Sequence, residues 1–185
     1  MLGDFVKGQL HILADQFPPR VLSGIRLHRA IDQFTDAHAF WRTSRARFSP
    51  STRRFAGVAV DMLYDHFLAR HWTRFHDLPL AVFSGHAYQA IEEYEALFPP
   101  GLRRLFPYMR DEDWLTNYQH FAHIDMALTR MATRSERLAP LAQTVPEALR
   151  LYQDLECDFV QFFPDLVDYA RDRRQDSTVE SGKPA

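Results

Sequence analysis

The sequence holds a single cysteine, Cys157, which excludes an internal disulfide and any multi-cysteine zinc site. A reducing, cytoplasmic setting is the matching expectation. Lysine occurs only at Lys7 and Lys183, so arginine carries nearly all of the positive charge. Arginine's planar head suits phosphate and carboxylate partners, and a high-GC genome would produce the same bias. The formal charge of −2 leaves no basic excess for general nucleic-acid binding. No apolar run reaches the roughly 20 residues that span a bilayer, and no signal-peptide pattern opens the chain. Seven glycines form neither a phosphate-cradling loop nor a Gly-x-Ser-x-Gly nucleophile turn. Strand-like alternation is not sustained anywhere.

What remains is helical. Apolar residues make up 46% of 185 positions, enough for one domain with a substantial core. They recur at helical spacing between prolines. "FPPRVLSGIRLHRAIDQF" predicts a helix opened by Pro18–Pro19 and running to about Phe34. "TDAHAFWRTSRARF" predicts a shorter one, and the next runs from about Ser51 to Trp72, with Ser49, Ser51 and Thr52 as capping candidates. Further helices are expected near 79–97, 101–109, 112–134 and 145–173. The expectation is a single all-α domain over residues 1–174. The polar stretch 175–185 carries no pattern and reads as a disordered tail.

Two predicted helices place acids and histidines among apolar side chains. In "VDMLYDHFLARHW", Asp61 and Asp65 lie about 40° apart on a helical wheel, on one stripe with Leu68 and Trp72. That helix is apolar nearly all round, which marks a buried one, and buried charges need a partner or a metal. In the earlier helix His28 and Asp32 stand one turn apart, and Gly24 leaves open space beside the imidazole. Imidazole and carboxylate together suit Mn²⁺, Fe²⁺ or Zn²⁺, and such an ion activates water and shields phosphoryl charge. A His–Asp pair at this spacing is equally explained as a helix-stabilising contact. The repetition on two helices is what points to a metal, with His66, adjacent to Asp65, as a further donor.

Other polar groups read as structural. His71, His76, His120, His123 and Asp125 fit surface or helix-end positions, and Cys157, Phe159, Phe162 and Phe163 fit the core. Arg42, Arg45, Arg47, Arg53 and Arg54 cluster around Ser49–Pro50. They form either a solvated face or a docking face for an acidic partner beside the metal helix.

Three blocks, "GDFVKG", "FPPRVLSGIRLHRAIDQFTD" and "VAVDMLYDHFLARHW", in this order and spacing, resemble the bacterial acyl carrier protein phosphodiesterase (acyl carrier protein hydrolase) family. The similarity runs from Gly3 to about Tyr169. It implies a helical fold distantly like the HD-domain phosphohydrolases. It also implies hydrolysis of the 4′-phosphopantetheine arm from holo acyl carrier protein, with a divalent cation, typically Mn²⁺. Asp4, His28, Asp32, Asp65 and His66 are the metal ligands it implies. Asp61, Asp65 and His66 are the catalytic group, with Asp61 orienting a ligand or accepting a proton. The arginine cluster would hold the carrier's acidic helices. The family also carries an upstream histidine-bearing "HLHLA"-like segment that this sequence does not show, so any ligand from it is expected to be lacking here. Two alternatives stand beside this reading: a non-catalytic helical binder with a vestigial site, and an HD-type nucleotide phosphohydrolase.

Overall fold

The computed structural model describes residues 2–180, and among them there are helices and turns but no strand. Two short helices, α1 (Leu2–Phe5) and α2 (Leu10–Leu13), precede α3 (Pro19–Ala37). Pro19 occupies the first turn of α3, where its missing N–H leaves nothing unsatisfied. His38 is extended and breaks the helix; its Nδ1 accepts the Phe40 N–H and starts α4 (Ala39–Arg47).

The long helix expected from Ser51 begins later, as a 3₁₀ turn at Arg53–Phe55 leading into α5 (Ala56–Arg70). The hydroxyls expected to cap it are used elsewhere. The Ser49 N–H (2.8 Å), Ser49 Oγ (2.6 Å) and Thr52 Oγ1 (2.9 Å) all donate to the Glu147 carboxylate. Burial pushes the Glu147 carboxyl up, but these three bonds outweigh it and hold it below the usual glutamate range. A carboxylate depressed in the native state adds stability above its unfolded pKa, and that stability is lost as pH falls through the folded value. Glu147→Gln should therefore cost about 1–2 kcal/mol at neutral pH. Urea melts at decreasing pH should show the two proteins converging in the acid range.

Helix α5 lies at the centre. Ala59, Val60, Leu63 and Phe67 are fully buried, packed with Ile124, Leu128, Ala148, Leu155 and Phe159 from later helices. Helix α6 (Leu80–Glu92), a 3₁₀ turn at Glu95–Leu97 and α7 (Pro100–Asp111) follow, and Tyr88, Phe98, Leu102 and Phe106 form a smaller core there.

Three expected helices are each split, that near 79–97 into α6 and its 3₁₀ turn. Residues 112–134 form α8 (Trp114–Asn117) and α9 (Phe121–Ala132), because His120 is extended between them, and Asp113, just before α8, adopts a left-handed φ of 42°. Its carboxylate accepts the Ser84 hydroxyl at 2.6 Å and the Thr116 N–H, which holds that conformation. Residues 136–143 form a 3₁₀ segment that the spacing did not predict. The last expected helix divides at Leu151 into α10 (Thr144–Arg150) and α11 (Tyr152–Glu180). Helix α11 runs past Arg174 to Glu180, into the stretch read as a disordered tail; residues 181–185 lie outside the described ones. Among the described residues no helix is long and apolar enough to cross a membrane.

Candidate active site: an acid-lined pocket

Helices α3 and α5 both pack against α11, and α1 against α3. This arrangement gathers Asp4, Asp32, Asp36, Asp61 and Asp65 around one pocket of about 510 Å³, backed by Tyr64, Phe159 and Phe162. Each pair on α3 and on α5 is spaced by four residues, so each helix delivers both its acids to the same side.

His28 joins the pocket's edge. Its Nε2 lies 3.0 Å from Asp4 Oδ1 and 3.5 Å from Asp32 Oδ2, between two carboxylates. The hydrogen bond with His28 is the main reason the Asp4 carboxyl is held down at about 2. Asp32 is pushed up by partial burial, against the pull of His28. The close approach beside the imidazole comes at Gly3 rather than at Gly24. A Cβ on Gly3 would lie 2.0 Å from His28 Cδ2, whereas one on Gly24 would meet nothing. Arg29 secures the segment by donating to the Gly8 and Val6 carbonyls at 2.8 and 2.9 Å, instead of pairing with an acid of its own helix.

Asp65 is open to water yet deeply recessed. Desolvation first, then the nearby Asp61 and Asp4 charges, raise its carboxyl to about 7. Asp61 is also pushed up by burial, although the Trp41 indole N–H donates to its Oδ1 at 3.0 Å. The Arg45 guanidinium stacks 4.6 Å over the Trp41 ring, and its field reaches Asp61. Arg45 Nε is buried without a hydrogen-bond partner.

The structure does not bring His66 to this group. It is fully buried on another side of α5. Its Nδ1 is 2.7 Å from the Tyr118 carbonyl and its Nε2 is 2.6 Å from the Tyr152 hydroxyl. Both nitrogens are thus occupied, and burial lowers its basicity further. Neighbouring positions on a helix point about 100° apart, so Asp65 and His66 face different surroundings.

The arginine cluster is also divided. Arg47 is committed inward: its Nε and Nη2 donate to Asp158 at 2.8 and 3.0 Å, and Asp158 also accepts from Ser44, which bonds Tyr64. Arg53 donates to the Phe48 and Ala46 carbonyls, and Arg54 lies over Phe55. Arg42 is exposed.

Asp36 and Trp41 were missed by the sequence reading. Asp36 repeats the four-residue spacing from Asp32 and could have been found; nothing marks Trp41 as a partner of Asp61. As they stand, no three His, Cys, Asp or Glu side chains among the described residues form a ready metal-binding group. The donor chemistry nonetheless suits a divalent cation, since an imidazole and several carboxylates share a pocket that no arginine or lysine lines.

The sequence profile of the acyl carrier protein phosphodiesterase family matches residues 1–166. A protein of that name from Serratia proteamaculans is 38% identical over 94% of this chain and 89% of its own length. Namesakes from Salmonella paratyphi A and Escherichia coli are 37% and 36% identical, over 90% and 92% of this chain and 86% and 87% of theirs. No solved structure gives a significant match, so the likeness to HD-domain phosphohydrolases rests on the sequence resemblance. With a profile match over most of its length and these relatives, the chain belongs to the acyl carrier protein phosphodiesterase family of enzymes.

Proposed function

We propose that the acid pocket hydrolyses the phosphodiester joining the 4′-phosphopantetheine arm to the serine of holo acyl carrier protein, and that it works with a bound divalent cation, Mn²⁺ being the ion the family resemblance implies. The observation that carries this reading is the gathering of Asp4, His28, Asp32, Asp61 and Asp65 at one pocket. Asp4, His28, Asp32 and Asp65 would hold the ion, which when bound makes water more acidic and shields phosphoryl charge. Asp61 uses one oxygen to accept Trp41, leaving the other free to take a proton from the attacking water. Water oxygen bonds to phosphorus, the bond to the carrier's serine oxygen breaks, and that oxygen is protonated to give the apo carrier. Arg45 stacks on Trp41 and steadies the indole that donates to Asp61. Arg42 and Arg54 are exposed and would meet an acidic partner.

Purified protein with Mn²⁺ and holo carrier should yield apo carrier by intact-mass spectrometry, and a chelator should stop the conversion. No mass loss under any metal would sink the hydrolase reading. The vestigial-binder alternative predicts no stoichiometric metal uptake.

The packing of Gly3 on His28 gives a separate check. Gly3→Ala must push the ring aside, since no Cβ tolerates a 2.0 Å contact. Loss of the Asp4–His28 bond should then weaken Mn²⁺ binding by about 10- to 100-fold, read by isothermal titration.

A further inference from the structure

A second cavity belongs to another part of the molecule. It measures about 620 Å³ and opens between α5, α7, α8 and α9. That volume falls within the roughly 300–1,000 Å³ typical of small-molecule sites. Its lining is predominantly apolar, with Met62, Leu105, Trp114, Met126 and Met131 prominent. Three methionines make an adaptable wall, since an unbranched thioether side chain follows the shape of a flexible occupant. Arg104, Arg130 and Arg134 also border the cavity and all are exposed. Arg130 shares the Glu112 carboxylate at 3.3 Å, and Glu112 also accepts the Trp114 indole N–H. Arg104 and Arg134 have no ion pair with a described residue.

We propose that this cavity binds a single-chain anionic amphiphile, a long-chain carboxylate, with its tail among the methionines and its head on Arg104 and Arg134. Two features select this occupant. An apolar chamber gains free energy from each methylene it removes from water. Two unpaired guanidiniums at its border reward an anionic head and repel a cationic one. The site is independent of the acid pocket, so its test needs no turnover.

The test is isothermal titration of the full chain with dodecanoate, dodecanol and dodecyltrimethylammonium, each below its aggregation threshold. Dodecanoate should bind saturably at one site, dodecanol about tenfold or more weakly, and the cation not measurably. The surface double variant Arg104→Gln/Arg134→Gln should reduce dodecanoate to the level of dodecanol. Ala127→Trp, which fills the chamber, should remove binding of both, with circular dichroism confirming the fold. Absence of saturable dodecanoate binding overturns the site. So does equal binding of dodecanoate and the cation, or dodecanoate affinity unchanged in the double variant. Concentration-dependent dimerisation that Ala127→Trp abolishes, without saturable dodecanoate binding, would assign the cavity to a second copy instead.

Discussion

Asp65→Asn should lower release of the phosphopantetheine arm by roughly 10³-fold, the scale of several kcal/mol of lost phosphoryl stabilisation, while the protein stays folded. Asparagine keeps the shape of the side chain and removes the charge that the pocket concentrates. Asp65 sits among Asp61, Asp4 and Asp32 without a hydrogen bond or ion pair that fixes it to the fold. Nothing structural depends on its carboxylate, and its removal relieves repulsion among neighbouring acids. Stability should change by no more than about 1 kcal/mol. Initial rates by mass spectrometry, alongside a thermal melt, separate the two effects. Wild-type rates in a folded Asp65→Asn protein would remove Asp65 from the chemistry.

His66→Ala should behave in the opposite way. The imidazole is fully buried, and its deletion leaves the Tyr118 carbonyl and the Tyr152 hydroxyl without their partner. Ring removal creates a cavity beside Phe67 and Phe121, which pack on the imidazole. Cavity and orphaned polar groups together should cost about 3–5 kcal/mol, which lowers the melting midpoint by roughly 6–20 °C for a chain of this size. Below that transition the variant should still take up Mn²⁺ and turn over, because the acids are untouched. A metal-ligand role predicts the reverse: little loss of stability and no uptake. The same burial gives a pH signature. Burial disfavours the protonated form of native His66, whereas the unfolded side chain gains a proton below its ordinary value of 6.5. Wild-type stability should therefore fall as pH drops through that value, and His66→Ala should lack that component.

Much of the acid pocket was legible because helical spacing is local. Pro19 marked the start of α3, and the four-residue steps from His28 to Asp32 and from Asp61 to Asp65 fixed which acids share a side. The same rule would have added Asp36 and separated Asp65 from His66. What stayed hidden depends on contacts remote in sequence. Glu147 gathers Ser49 and Thr52 from 98 and 95 residues away and delays the start of α5. Asp158 draws Arg47 inward across 111 residues, removing it from the docking face. The breaks at His120 and Leu151, and the turn at Asp113, carry no glycine or proline. Asp113 needs the Ser84 hydroxyl of α6 to hold its left-handed turn.

The assignment of the acid pocket as a metal-dependent active site is tested most directly by Mn²⁺ titration followed by electron paramagnetic resonance, on wild-type protein and on folded Asp65→Asn. Saturable, stoichiometric loss of the free-ion signal in the wild type, absent or greatly weakened in Asp65→Asn, is the predicted result. No saturable uptake by the wild type, or uptake unchanged by the substitution, would contradict it.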